Sequence, residues 1–124
     1  MWDLAEDADS LEIIKKLANK NKVVAGVCHG SAALVNAKLS DGTYLVADTE
    51  VTGFSNAEED SIGLSPVMPW MLETELVNRK AMYVKAAEQW GVKVAVGRNG
   101  KLITGQNPGS ARALGKALLK ELTA

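Results

Sequence analysis

Residues 23–31 of the chain read VVAGVCHGS, and this stretch decides the fold. Its first five residues form an apolar run without polar alternation, which is typical of a strand buried on both faces of a parallel sheet. The pattern Gly26-x-Cys28-x-Gly30 at the end of the run is the thiol counterpart of the G-x-S-x-G nucleophile elbow. Because such an elbow turns a strand sharply into a helix, the stretch predicts an α/β fold with Cys28 lifted out of the sheet.

Cys28 and His29 are the only cysteine and the only histidine of the chain. Catalysis by a thiol needs the thiolate, and a helix N-terminus or a nearby protonated histidine lowers the thiol pKa from about 8.5. We therefore expect Cys28 to be a nucleophile, with His29 beside it and the His29 backbone N–H donating to an oxyanion. Gly26 and Gly30 are expected to permit the tight turn and close helix–strand packing.

An acidic cluster follows the second predicted strand, whose end we expect at the same rim of the sheet as Cys28. Ser55 and Glu58 match a capping box, which engages Glu58 at the start of a helix. Glu59 is therefore the better partner for His29. The alternatives are structural: a lone cysteine is most often a small buried hydrophobe, and acidic residues at a helix start favour the helix dipole.

The remaining elements follow from periodicity and turn residues. A capping-box-like pair, Asp9 and Glu12, predicts the start of the first helix. An Asn99-Gly100 turn predicts a hairpin, and Asn107 followed by Pro108 predicts the N-cap of the last helix. This first helix is expected over residues 10–20. We expect further helices over residues 31–37, 70–78 and 81–89, and strands over residues 50–54, 92–96 and 101–104.

The order of these elements is unusual for a complete parallel sheet. The first element is a helix that leads into a buried strand, and such a helix normally returns from an earlier parallel strand. A central strand also needs hydrogen-bond partners on both sides. We therefore expect residues 1–124 to be one domain that is incomplete at its N-terminus, with an exposed sheet edge that favours association.

Composition excludes several classes of function. A net charge of −1 gives no basis for a nucleic-acid or anionic-membrane partner, and no apolar run approaches the roughly 20 residues of a membrane span. The acidic start is unlike a signal peptide. One cysteine and one histidine cannot build a structural zinc site, so we expect no metal and no cofactor. The expected compartment is the reducing cytosol, the cytoplasmic setting in which a free thiol persists.

Four segments resemble the PfpI-like, class I glutamine amidotransferase-like superfamily, and most of all its glyoxalase III branch, which includes stress-response chaperones. They are Met1–Leu4, Ala25–Gly30, Thr52–Ser55 and Leu102–Pro108. The resemblance implies a flavodoxin-like parallel sheet and assigns residues 1–124 to the C-terminal portion of the family's single domain. Family members are roughly twice this length. Their first half carries the opening strands, an acidic residue near the cysteine and a glycine-rich oxyanion loop, and a homodimer is expected for the full-length protein.

The resemblance also implies a chemistry, in which Cys28, His29 and Glu59 match the family's catalytic residues. Such enzymes are lyases of the D-lactate dehydratase type, which convert methylglyoxal or glyoxal, small 2-oxoaldehydes, to the hydroxy acid without glutathione or metal. A protein deglycase or amidase, a holdase chaperone and an inactive fragment remain alternatives. Glutaminase chemistry is disfavoured, because it uses a histidine distant in sequence from the nucleophile and His29 is the only one.

Overall fold

The computed structural model describes residues 1–124, and it has the layered α/β architecture that the sequence predicts. The α-helices are α1 (Ala8–Asn19), α2 (Asn56–Ser61), α3 (Leu72–Asn78) and α4 (Ala111–Leu122). The strands are β1 (Val24–Val27), β2 (Glu50–Val51), β3 (Met82–Tyr83), β4 (Val94–Gly97) and β5 (Leu102–Gly105). Short 3₁₀ helices cover Cys28–Leu34, Ser65–Val67, Arg98–Gly100 and Pro108–Ser110. No helix is both long enough and apolar enough to cross a membrane.

The main sheet has the strand order β1-β5-β4, and β2 and β3 form a separate parallel pair. β1 runs parallel to β5, with Val27 opposite Gly105. The carboxyl ends of these two strands therefore meet at one rim of the sheet. β4 and β5 are antiparallel, and the turn between them has left-handed backbone at Asn99, which confirms the predicted hairpin.

β1 departs from the prediction that its strand is buried on both faces. Val24 is buried, but Ala25 is exposed, and β5 is the only strand that pairs with β1. On the Ala25 face, α4 packs over β5, where a Cβ on Gly105 would lie 3.3 Å from the Leu114 side chain and Ile103 is buried. None of the twelve residues of α4 is buried. β1 is therefore an edge strand, and one of its faces is partly open.

The opposite face of the sheet carries the core, which α1, the Cys28–Leu34 segment and α3 cover. α1 begins at Ala8 because the Asp7 carboxylate accepts a hydrogen bond from the Ser10 N–H at 2.8 Å, so the predicted capping box at Asp9 is wrong. The buried hydrophobic cluster consists of Ala5, Ile14, Val24, Ala32, Leu34, Val35, Ala37, Leu45, Val46, Val51, Phe54, Leu72, Leu76 and Leu102.

The predicted helix over residues 81–89 is also wrong. Met82 and Tyr83 form β3, which pairs in parallel with β2, and residues 84–93 continue without a helix or strand. The Tyr83 hydroxyl donates to the Gly53 carbonyl at 2.7 Å, which fixes this strand against the segment after β2. Long-range pairing thus overrides a local helical pattern.

Candidate active site

Cys28 directly follows β1 and forms the predicted elbow. Its φ of 58° lies in the left-handed region, which a residue with a side chain adopts only when the surroundings impose it. A Cβ on Gly26 would lie 3.1 Å from the Ser31 backbone, so a larger residue there would have to displace the turn by a few tenths of an ångström. Gly30 differs from the expectation, because nothing lies within 4 Å of the position a Cβ would take and its φ is not left-handed.

The structure brings together the three side chains that the sequence singles out. The Cys28 Sγ lies 3.5 Å from His29 Nδ1, and His29 Nε2 lies 2.6 Å from Glu59 Oε2. Glu59 sits in the first turn of α2 and is almost fully buried, whereas the His29 side chain is about one-third exposed. The arrangement is a chain of contacts from thiol to imidazole to carboxylate, the geometry of an activated nucleophile.

The electrostatics of Cys28 differ from the expectation of a lowered pKa. Burial raises the pKa of the thiol, and the nearby Glu58 and Glu59 carboxylates raise it further, while the His29 backbone N–H acts in the opposite direction. The elbow leads into a 3₁₀ helix, not an α-helix. The raised pKa favours the thiol as the resting form of Cys28.

Glu58 is fully buried and forms the capping box that the sequence predicts. Its backbone N–H donates to Ser55 Oγ, and its carboxylate accepts from the Ser55 N–H and hydroxyl. The carboxylate also accepts hydrogen bonds from Gln106 Nε2 at 2.9 Å and Asn107 Nδ2 at 2.7 Å. Burial alone would raise the pKa of Glu58, but the bonds from Asn107, Gln106 and Ser55 outweigh it and hold the pKa below its usual value.

Asn107 is the N-cap of the Pro108–Ser110 3₁₀ helix, which leads directly into α4, and Pro108 follows it as the sequence predicts. Its side chain, however, makes no capping hydrogen bond. Its amide instead donates to Glu58 and to the Gly91 carbonyl, and its Oδ1 accepts from the Ser110 hydroxyl. The sequence signal for this role is the polar Gln106-Asn107 pair directly after a buried strand.

Two aromatic residues pack in series against the imidazole. The sequence did not assign either of them to the site. The buried Phe54 ring lies 4.3 Å, centroid to centroid, from the His29 ring at an interplanar angle of 37°. Trp90 packs edge-on against Phe54 at 5.5 Å, although the indole remains 44% exposed. Phe54 therefore packs against the His29 ring and limits its rotation.

A cleft of about 340 Å³ opens beside the histidine and is large enough for a small molecule. It is lined by His29, Gly30, Ala32, Ala33 and residues 1–4. A larger cleft of about 440 Å³ lies between α1 and residues 36–44, but it contains no histidine. Cys28 lines neither cleft, and we place the candidate site beside the smaller one because His29 borders it and contacts both Cys28 and Glu59.

Comparison with known proteins identifies the family of the chain. Residues 2–121 match the DJ-1/PfpI family. The chain is 30% identical to glyoxalase 3 of Candida albicans over 90% of this chain and 48% of that protein. It is 33% identical to a Schizosaccharomyces pombe protein named "Probable glutathione-independent glyoxalase hsp3103", over 98% of this chain and 49% of that protein. The chain thus spans about half the length of these curated relatives.

A crystal structure supports the same assignment. The Rapid Encystment Protein 24 kDa of Francisella tularensis superposes with a TM-score of 0.91 at 41% identity, over 98% of this chain and 52% of that one. The superposition confirms the flavodoxin-like α/β fold that the resemblance implies. The chain belongs to the DJ-1/PfpI family, and within it to the glyoxalase III branch.

Proposed function

We propose that the chain carries the nucleophile and its activating base for glutathione-independent glyoxalase chemistry, in which methylglyoxal or glyoxal becomes the hydroxy acid. One observation carries the proposal: the continuous contact from Cys28 Sγ through His29 to Glu59, at 3.5 Å and 2.6 Å. The glyoxalase names of two relatives support the substrate class. The free thiol of Cys28 fits a reducing, cytoplasmic setting.

The first step follows from the hydrogen bonds of the imidazole. Glu59 accepts the Nε2 proton, so the lone pair of Nδ1 faces the thiol. Nδ1 takes the thiol proton as the sulfur attacks the aldehyde carbon, and the protonated imidazole then returns that proton to the new alkoxide. The product is a hemithioacetal. The His29 backbone N–H, which lies beside the sulfur, would stabilise the developing oxyanion.

The second stage moves hydrogen between the two carbons. A base removes the proton from the former aldehyde carbon, and the electron pair shifts towards the neighbouring carbonyl oxygen, which takes up a proton to give an enediol. The hydroxyl on the first carbon then loses its proton and becomes the thioester carbonyl, while the double-bond electrons take up a proton at the second carbon. Water cleaves the thioester, releases the hydroxy acid and restores the thiol. One carbon is oxidised while its neighbour is reduced, so the sequence consumes one water and needs no external oxidant.

The test is turnover of methylglyoxal without glutathione, followed as aldehyde loss and lactate appearance. We expect Cys28→Ala to abolish both, whereas Ser40→Ala, at an exposed turn, retains wild-type turnover. Lactate formation by Cys28→Ala would refute the role of the thiol. Repair of a glycated peptide without lactate release from free methylglyoxal would favour the deglycase alternative instead.

A further inference from the structure

Glu58 is a buried ionisable group that the proposed mechanism does not use. Its side chain is completely buried, and its carboxylate accepts four hydrogen bonds. A buried carboxylate is costly unless its oxygens are satisfied, and here both oxygens have partners. A capping box needs only the contacts with Ser55. The bonds from Gln106 and Asn107 are additional, and they come from a different part of the fold.

The additional bonds join two elements at the rim of the sheet. Gln106 and Asn107 follow β5, which is in register with β1, so they leave the sheet at the same end as Cys28. Glu58 lies in the first turn of α2, immediately before Glu59. The carboxylate thus ties the helical turn that carries Glu59 to the strand beside the nucleophile.

The same network also reaches the histidine through aromatic contacts. Asn107 Nδ2 also donates to the Gly91 carbonyl at 2.8 Å, which holds the segment that presents Trp90. Trp90 packs against Phe54, and Phe54 packs against His29. The buried Glu58 carboxylate and the Asn107 amide therefore stabilise both neighbours of the imidazole, which are the Glu59 carboxylate and the Phe54 ring.

We propose that Glu58, bound by Asn107, is a positioning residue that holds Glu59 and Phe54 in place around His29. Its effect on turnover rests on the proposed function, but its effect on the His29–Glu59 contact does not. A role limited to capping α2 would depend on Ser55 alone, and loss of the Asn107 bond would leave the His29–Glu59 hydrogen bond intact.

The test uses the fact that His29 is the only histidine. A strong hydrogen bond to a carboxylate moves the Nε2 proton resonance far downfield, so nuclear magnetic resonance reports this contact without an assay of activity. We expect Glu58→Gln to move that resonance upfield or broaden it, because the introduced amide would face the Asn107 amide donor to donor. Asp60→Asn, an exposed loss of charge on the same helix, is the matched control and keeps the wild-type resonance.

Asn107→Ala is the second variant, since it leaves the Ser55–Glu58 capping box intact. We expect the same upfield movement in a protein with wild-type circular dichroism. In turnover, both variants should lower kcat by up to about 100-fold with little change in KM, because a displacement of about 1 Å can cost that much. An unchanged resonance in folded Asn107→Ala would overturn the positioning role. Absence of turnover with these resonance changes present would refute only the proposed function.

Discussion

His29 Nε2 lies 2.6 Å from Glu59 Oε2, although the two residues are 30 positions apart in the sequence. The contact joins the elbow after β1 to the first turn of α2. With the proton on Nε2, the contact leaves Nδ1 free to accept the proton of Cys28, as the proposed mechanism requires. The proposed roles of both side chains therefore depend on this one hydrogen bond.

Replacing Glu59 with glutamine should remove the preference for the His29 tautomer with the proton on Nε2. The introduced amide can donate to Nε2 and thereby favour the opposite tautomer, so we expect kcat to fall by about 10³- to 10⁴-fold, as for the equivalent change in a catalytic triad. Initial rates of methylglyoxal consumption measure the effect, with Asp60→Asn as the control. Wild-type rates in Glu59→Gln would show that the carboxylate has no part in turnover.

The thiol should titrate above its ordinary range. Burial and then the two carboxylates raise the pKa of Cys28, so the rate of its alkylation by iodoacetamide should reach half of its maximum above pH 8.5 or so, the usual thiol value. Glu59→Gln should shift this profile to lower pH, because one repelling charge is gone. A wild-type profile centred below the usual value would contradict the assignment.

The same shift predicts a pH dependence of stability. A raised folded-state pKa contributes stability that is present below the pKa of the unfolded thiol and is lost as pH rises through the folded value. The free energy of unfolding of the wild type, measured in urea, should therefore decline relative to Cys28→Ala as the pH passes above the usual thiol range. Parallel curves for the two proteins in alkali would show that the thiol is not desolvated.

Two glycine substitutions should act in opposite directions. A Cβ on Gly97 would lie 2.6 Å from the Glu50 carbonyl oxygen, so Gly97→Ala forces β4 away from β2 and should destabilise the protein by about 1–3 kcal/mol. Gly115 lies inside α4 with nothing within 4 Å, so Gly115→Ala should stabilise by about 0.5–1 kcal/mol. Urea unfolding measures the change in the free energy of unfolding for both variants. If Gly97→Ala stabilised the protein as Gly115→Ala does, the packing of β4 against β2 would be looser than described.

The free edge of β1 should make the chain associate. Unpaired backbone groups on an edge strand favour pairing with another chain, and a lysine on such a strand opposes it. We expect light scattering to show concentration-dependent association that Ala25→Lys reduces. Val67→Lys, which replaces an exposed hydrophobic residue far from the edge, should not reduce it. A monodisperse monomer at all concentrations, with a cooperative melting transition, would contradict this expectation.

The parts of the site that the sequence predicts are those with local signals. The elbow pattern locates Cys28 and His29, and the capping box engages Glu58, which leaves Glu59 for the histidine. Each inference needs only a few neighbouring residues and the rule that parallel strands end at one rim. The catalytic roles themselves stay predictions.

The features that sequence reasoning missed depend on distant segments. Asn107 looks like a helix cap because proline follows it, but a buried carboxylate 49 positions earlier takes its amide. The helical pattern of residues 81–89 gives way to pairing with β2. The thiol pKa rises because burial and two carboxylates, which no local pattern reveals, surround it.

The left-handed backbone at position 28 means that stability and the proposed chemistry favour different residues there. Glycine would adopt this conformation freely, whereas a residue with a Cβ loses about 1–2 kcal/mol there. A library of variants sorted only for resistance to heat should therefore enrich glycine at position 28 and return inert proteins. Directed evolution of this chain toward thermostability has to screen for turnover in every round, because glycine at position 28 would remove the proposed nucleophile.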